Sequence, residues 1–133
     1  IALKDILVFN VYMPCAGTPS RLDILEDTLA DIAYHIDQHP GKAVIIGGDF
    51  NINLSVDYSS QPARLCLDVF AKYNLISAYD CFPGNNFVTY RNEKLGHESL
   101  LDYVFTNHIV HVDDVCIYEP DLGFSDHLPL CVF

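Results

Sequence analysis

Two short apolar runs on either side of one amphipathic segment constrain the fold of this chain more than any other feature. The runs are DILVFNVYMP, from Asp5 to Pro14, and KAVIIGGDF, from Lys42 to Phe50. Their aliphatic composition and their Pro and Gly boundaries predict buried strands. From Arg21 to Gln38, apolar residues recur at helical spacing, namely Leu22, Leu25, Leu29, Ile32, Ala33 and Ile36. This order predicts a helix packed on a sheet, with Thr18 or Ser20 as its N-terminal cap.

The rest of the chain predicts a second helix followed by several short strands. A polar loop from Ser55 to Gln61 precedes this helix, which runs from about Pro62 to Tyr73 with Leu65, Val69 and Tyr73 facing inward. Asn92 to Glu98 is predicted to be a polar connection. The segments that favour strands are LISAYD, FVTYR, SLLDYVFTN, IVHVDDVCIYEP (a strand pair or one bent strand) and the end of LGFSDHLPLCVF. The 133 residues therefore predict one domain, a mixed α/β sandwich.

Composition argues against several classes of protein. The net charge is −11 and Lys and Arg together number 7, which argues against a broad basic surface for nucleic acid. Contact with a polyanion is therefore expected to be local, bridged by a metal ion, or supplied by a region outside this chain. No apolar run is long enough to span a bilayer and no signal-peptide pattern precedes the first strand, so we expect no membrane association.

The cysteines argue against a zinc site and against a disulfide framework. They are odd in number, widely spaced and without a CxxC pair: Cys15, Cys66, Cys81, Cys116 and Cys131. We expect reduced thiols in or near the core of an intracellular protein, in a reducing compartment such as the nucleus or the cytoplasm.

Polar residues capable of chemistry follow the predicted strands. In GGDFN, Asp49 and Asn51 point to the same side of an extended chain, and the glycines before them permit close approach of other backbone or of a substrate. A carboxylate there can orient or deprotonate a water molecule, and the neighbouring amide can donate to a developing negative charge. The alternative is a local turn in which these side chains only cap the backbone.

A second pair of motifs contains an acid and a histidine. Asp102 lies in LLDYVF, where its apolar neighbours predict burial, and a buried carboxylate requires a partner. His127 in SDHLP is a suitable partner, since Asp102 would fix its tautomer, and Asp126 adjoins it. The alternatives are an edge-strand acid and an ordinary loop histidine. Tyr12 in NVYMP either presents its hydroxyl at the rim of the sheet or is a core aromatic residue.

The ordered motifs NVYMP, GGDFN, LLDYVF and SDHLP resemble the endonuclease/exonuclease/phosphatase superfamily. This superfamily includes apurinic/apyrimidinic endonucleases, DNase I-like nucleases, inositol polyphosphate 5-phosphatases and the endonuclease domain of LINE-type (non-LTR) retrotransposons. The resemblance runs from about Ile6 to Phe133 and is strongest to the retrotransposon branch. It implies a DNase I-like four-layer α/β/β/α sandwich with an active site at one rim, and hydrolysis of phosphoesters with Mg²⁺ or Mn²⁺.

The resemblance also implies roles for individual residues. Tyr12 would contact the scissile phosphate, Asp49 would orient or deprotonate the attacking water, and Asn51 would hold that water and the transition-state charge. The three remaining roles concern the phosphate and the metal: His127 would bind and stabilise the phosphate, Asp102 would hold His127, and Asp126 would lie at or near the metal ion.

The chain departs from the superfamily pattern at its beginning. Members carry an early Asn and a metal-binding Glu in an N-terminal half, and this sequence begins at the strand that contains NVYMP. We therefore expect residues 1–133 to be a single domain that lacks its N-terminal part, with weak Mg²⁺ binding through Asp126, Asp49 and Asp102 and little activity by itself. Cys15 follows Pro14 where many members have Asn, so one polar substrate contact is absent.

Three functions are compatible with these motifs. The first is a DNA endonuclease of a retrotransposon-type protein, fused to a reverse transcriptase. The second is a phosphomonoesterase that acts on an inositol phosphate or a lipid headgroup, which suits the acidic composition. The third is a non-catalytic remnant that acts as a binding domain.

Overall fold

The computed structural model describes residues 1, 3–107, 110–119 and 125–133. Strand β1 (Ile6–Tyr12), helix α1 (Arg21–Asp37), strand β2 (Ala43–Asp49) and helix α2 (Gln61–Lys72) form the first half. The second half consists of short strands: β3 (Ile76–Ser77), β4 (Tyr90–Asn92), β5 (His97–Ser99), β6 (Asp102–Thr106), β7 (Val115–Ile117) and β8 (Leu130–Val132). A 3₁₀ turn, Ala78–Cys81, follows β3.

The main sheet has four strands in the order β1-β2-β6-β3. β1 and β2 are parallel and α1 connects them, as a parallel crossover requires. β6 is antiparallel to β2 and to β3. Two further sheets have two strands each, β4 with β5 and β7 with β8. The first two predicted strands and both predicted helices are therefore present.

The two faces of the main sheet have different environments. Phe9, Ile46 and Phe105 are in register on one face, where Phe105 lies 4.4 Å from the Phe70 ring of α2 and Phe9 lies 6.4 Å from the His35 ring of α1, centroid to centroid. The helices cover this face. Because side chains alternate along a strand, Asp49 and Asp102 belong to the opposite face. β8 contacts β6, so the small sheets add a further β layer.

Helix α1 has the predicted apolar stripe but not the predicted N-terminal cap, and helix α2 buries most deeply a stripe beside the predicted one. Buried residues of α1 are Leu25, Leu29 and Ile32, on the predicted stripe. The predicted N-terminal cap is wrong, since Ser20 has a φ of 53° and no side chain caps α1. In α2, the fully buried residues are Ala63, Cys66 and Phe70, whereas the residues predicted to face inward, Leu65, Val69 and Tyr73, are only partly buried. Ser60 caps α2 by accepting the N–H of Ala63 at 3.3 Å.

Several strand predictions are corrected. The segment predicted as a polar connection, Asn92 to Glu98, instead ends β4 and begins β5, and Arg91 pairs with Glu98 across this hairpin at 2.8 Å. LISAYD contributes only the two residues of β3 before the 3₁₀ turn. β7 covers only Val115–Ile117 of its predicted segment, and residues 109, 120 and 122–124 of the last two segments lie outside the described residues.

One glycine brings the ends of β1 and β2 together. A Cβ added to Gly48, whose φ is 145°, would lie 1.9 Å from the carbonyl oxygen of Val11. At Gly47 the nearest atom would be 3.5 Å away, an ordinary contact. Gly48 therefore permits the close backbone approach at which β2 ends in Asp49.

Two further expectations concern the location of the cysteines and the possibility of a membrane-spanning helix. All five cysteines are free, but only Cys66 lies in the core, so the predicted core location is wrong for Cys15 and Cys81, which are exposed. Within the described ranges, neither helix has the length and apolar character needed to cross a bilayer.

Candidate active site

The ends of three adjacent strands bring the first candidate residues into one row. The parallel register of β1 and β2 pairs Tyr12 with Asp49, and the antiparallel register of β2 and β6 pairs Asp49 with Asp102. The row therefore lies across the edge of the sheet, on the face away from the helices. Tyr12 is 79% exposed, which excludes a core aromatic role.

Asp49 and Asn51 are joined by two hydrogen bonds. The backbone N–H of Asn51 donates to Oδ1 of Asp49 at 2.8 Å, and Nδ2 of Asn51 donates to Oδ2 at 3.2 Å. Nδ2 also donates to the carbonyl oxygen of Met13 at 2.9 Å. Asn51 has a φ of 50°, a conformation that Asn tolerates better than most residues. The carboxylate thus caps the local turn and also presents Oδ2 to the open face.

His127 lies between the two carboxylates. Its Nδ1 is 2.8 Å from Oδ2 of Asp102, and its Nε2 is 3.8 Å from Oδ2 of Asp49. The side-chain exposures are 16% for Asp49, 21% for Asp102 and 31% for His127, so all three are shielded but reachable from solvent. The hydrogen bond to Asp102 fixes which imidazole nitrogen faces Asp49.

Residues that the sequence interpretation missed hold Asp102 and His127 in place. Thr89 is fully buried, and its hydroxyl accepts the backbone N–H groups of Leu101 and Asp102, both at 3.0 Å. The hydroxyl of Tyr79 donates to the carbonyl oxygen of Asp102 at 2.9 Å. On the other side, the Tyr90 ring lies 5.3 Å from the imidazole of His127, centroid to centroid, and a backbone bridge joins the same two residues.

Arg21 connects the two loops that follow β1 and β2. Its Nε donates to the carbonyl oxygen of Pro14 and its Nη2 to that of Asn51, both at 3.0 Å. The guanidinium therefore fixes the backbone turn that carries Asn51. No sequence signal pointed to Arg21 or Thr89, because both act on backbone groups.

The site has more negative than positive charge. Burial raises the pKa of Asp49, the nearby carboxylate of Asp102 raises it further, and the hydrogen bonds from Asn51 oppose the change. Within the described residues, the ion-pair partner of both acids is His127 alone. The potential ligand atoms of Asp49, Asp102 and His127 lie within 4.8 Å of one another. The two carboxylates supply oxygen ligands of the kind that Mg²⁺ and Mn²⁺ prefer, and the imidazole lies beside them.

Asp126 lies apart from this group. It is exposed, and its carbonyl oxygen accepts the N–H of Arg91 at 2.8 Å. Its carboxylate is not among the ligand atoms that lie within 4.8 Å of one another.

A cavity of about 450 Å³ adjoins the site. Its lining includes Asp102, Val104, His127 and Leu130.

The sequence matches a family model described as "Endonuclease-reverse transcriptase" from residue 6 to residue 131. The chain belongs to this family, which confirms its predicted place in the endonuclease/exonuclease/phosphatase superfamily. No curated protein sequence is significantly similar to the chain.

Solved structures share the fold. The chain is similar to the 3′ phosphatase NExo from Neisseria bound to a product DNA hairpin, with 15% identity and a TM-score of 0.79 over 98% of this chain and 62% of that one. An AP endonuclease from Archaeoglobus fulgidus is 16% identical, with a TM-score of 0.75 over 96% of this chain and 61% of that one. The endonuclease domain of TRAS1, a telomere-specific non-LTR retrotransposon, is 19% identical, with a TM-score of 0.64 over 80% of this chain and 49% of that one. The predicted DNase I-like fold is thus confirmed, and the chain spans less than two thirds of each of these proteins.

Proposed function

We propose that the full-length protein containing this chain is a divalent-metal-dependent hydrolase of DNA phosphodiesters, of the retrotransposon type. The observation that supports this most strongly is the position of His127 between Asp49 and Asp102, at the edge where Tyr12 is exposed. Phosphoryl transfer requires an aligned water and groups that neutralise charge, and this edge carries side chains suited to both tasks.

In this proposal, Asp49 orients or deprotonates the attacking water. Its Oδ2 faces the open side of the site and its pKa is raised by burial, which makes the ionised carboxylate a better proton acceptor. Asn51 holds Asp49 through its backbone and side-chain N–H groups. Since Nδ2 of Asn51 is already bonded to Asp49 and Met13, its contribution to the water and to the transition state passes through Asp49.

The phosphate is bound by His127 and Tyr12 in this proposal. His127 donates a hydrogen bond from Nε2 to a phosphoryl oxygen as negative charge develops there, and Asp102 keeps the ring in place. The exposed hydroxyl of Tyr12 contacts the same phosphate. Asp49 and Asp102 would hold the divalent cation, with Asp126 as a further contact, and the cation supplies charge neutralisation at the phosphate.

DNA is the proposed substrate because of the family and of two structural neighbours. One of the neighbours was solved with a product DNA hairpin and another is the endonuclease domain of a retrotransposon. We therefore propose a reverse transcriptase in the same polypeptide and action in the nucleus or the cytoplasm, reducing compartments that suit a protein with free cysteines. The net charge of −11 favours the second candidate, a phosphomonoesterase on an inositol phosphate or a lipid headgroup.

A substrate comparison tests this proposal. The full-length protein is incubated with supercoiled plasmid, and separately with an inositol polyphosphate, in Mg²⁺ and in EDTA. We expect nicked plasmid in Mg²⁺ and intact plasmid in EDTA, with no release of inorganic phosphate from the inositol compound. Phosphate release with intact plasmid would favour the phosphomonoesterase and overturn the DNA assignment. Absence of both products would support a non-catalytic binding domain.

A further inference from the structure

Strands β7 and β8 carry two cysteines at directly opposite positions. Their antiparallel register pairs Cys116 with Cys131, between the pairs Val115–Val132 and Ile117–Leu130. Directly opposite residues of an antiparallel pair project from the same face of the sheet. Both thiols are free and both residues are half-buried. The two sulfurs are therefore neighbours that small molecules can reach.

The backbone spacing of this pair suits a disulfide. Asp114 and Phe133 exchange two backbone hydrogen bonds, of 3.2 and 2.9 Å. Hydrogen-bonded and non-hydrogen-bonded pairs alternate in an antiparallel ladder, so Cys116 and Cys131, two residues further along, are again a hydrogen-bonded pair. The Cα atoms of such a pair are roughly 5.5 Å apart, within the range of about 4.4–6.8 Å in which disulfides occur. The Cβ atoms of a hydrogen-bonded pair are at the long end of about 4.5–5.5 Å, so closing the bond draws the two strands together and gives a strained, readily reduced disulfide.

The environment of the thiols places them on the outer face and raises the pKa of the Cys116 thiol. Val115, Ile117, Leu130 and Val132 pack against the core, so the alternating cysteines face away from it. The Sγ–H of Cys116 donates to Oδ2 of Asp114 at 3.3 Å, and this hydrogen bond raises the pKa of the Cys116 thiol. Since the thiolate is the reactive form, attack by Cys116 accelerates as pH increases.

We propose that Cys116 and Cys131 are a reversible dithiol–disulfide pair that reacts with small disulfides such as oxidised glutathione. One protein thiolate attacks a sulfur of oxidised glutathione, forms a mixed disulfide and releases one glutathione thiolate. The other protein thiolate attacks the mixed disulfide, forms the bond between Cys116 and Cys131 and releases the second glutathione. The two protein sulfurs are oxidised, oxidised glutathione is reduced, and the two thiol protons end on the released glutathione molecules.

Formation of this disulfide would stabilise the region that follows the candidate active site. β8 begins three residues after His127, and the bond would tie β8 to β7. A covalent link between distant positions reduces the freedom of the unfolded chain more than that of the folded one. We therefore expect the melting temperature of the full-length protein to rise by about 5 °C on oxidation.

Redox titration with peptide mapping tests this proposal. The full-length protein is equilibrated in glutathione buffers of decreasing reduced-to-oxidised ratio, its free thiols are blocked, and the peptides are analysed by mass spectrometry. We expect a peptide pair linked through Cys116 and Cys131 that disappears with dithiothreitol. The linked pair should persist in a Cys15→Ser variant and be absent in Cys116→Ser, which should also lose the rise in melting temperature.

Two results would overturn the proposal. One is separate glutathione adducts on Cys116 and Cys131 with no linked peptide. The other is a pair that stays reduced in buffers that modify the exposed thiols of Cys15 and Cys81. Both outcomes are read on the unsubstituted protein and do not depend on whether a variant folds, or on whether the proposed phosphodiester hydrolysis occurs.

Discussion

Replacement of Asp49 by alanine is expected to lower the rate of Mg²⁺-dependent plasmid nicking by about 10³-fold or more. The Asp49 carboxylate contacts both parts of the site, since Oδ1 accepts the N–H of Asn51 at 2.8 Å and Oδ2 lies 3.8 Å from Nε2 of His127. Alanine removes the group proposed to take the proton of the attacking water and, at the same time, a proposed ligand of the cation. The measurement is the initial rate of nicking by the full-length protein.

The matched control for this prediction is Asp68→Ala. Asp68 is an exposed acid on α2, remote from the row of strand ends, and its replacement changes the net charge by the same amount. We expect this variant to nick at close to the wild-type rate. Circular dichroism melts of both variants establish that they are folded. Equal nicking rates for Asp49→Ala and Asp68→Ala would show that Asp49 neither orients nor deprotonates the attacking water.

His127→Ala is expected to lower the nicking rate by about 10²–10⁴-fold. The substitution removes the hydrogen-bond donor proposed for the phosphate and leaves Asp49 and Asp102 without the ion-pair partner that the described residues provide. Asp102→Asn keeps the shape of the side chain and one oxygen that can face the cation, and it removes the negative charge that holds the imidazole. This second variant should therefore lose less, about 10–100-fold.

The histidine prediction has its own control. His111 is exposed, with 88% of its side chain accessible, and it pairs with Asp113 rather than with the site. His111→Ala should leave the rate unchanged. The assignment of Asp102 as a positioning residue fails if Asp102→Asn cleaves at the wild-type rate while His127→Ala does not cleave.

The first half of the fold was predictable because its apolar residues follow a clear spacing over long segments. The apolar stripe of α1 predicts a helix, and the apolar runs of β1 and β2 predict buried strands. For α2, Ala63, Cys66 and Phe70 form one helical stripe, and the predicted inward residues form a neighbouring one. Periodicity cannot choose between adjacent stripes. The choice is made by packing, because the Phe70 ring packs against Phe105 in a tilted arrangement and against Phe50 edge to face.

The second half was less predictable because its strands are short and polar. The β4–β5 hairpin has no apolar alternation, and its visible stabilisation is an exposed ion pair between Arg91 and Glu98, two groups that also suit a loop. β3 has only two residues, fewer than a sequence pattern requires. Such elements are defined by their neighbours in the fold and not by their own composition.

The candidate site was predictable in part. Burial of a charge suggested that Asp102 would pair with His127, and the structure contains that hydrogen bond. The approach of Asp49 to the same histidine depends on the register of β2 and β6, which the sequence does not encode in any local pattern. Asp126 is exposed and lies in a bend before β8, where strand alternation does not determine the direction of a side chain. Its predicted role at the metal stays a proposal.

The claim that Asp49 and Asp102 hold a divalent cation beside His127 is tested most directly by locating the bound ion. Mn²⁺ is added in small amounts to the ¹⁵N-labelled full-length protein, and the broadening of backbone amide signals is mapped. We predict that the signals of Asn51, Tyr103 and Leu128 broaden first, and that this pattern is lost in Asp49→Ala. Broadening centred instead on the acidic surface of α1, at Asp23, Asp27 and Asp31, would contradict the proposed site.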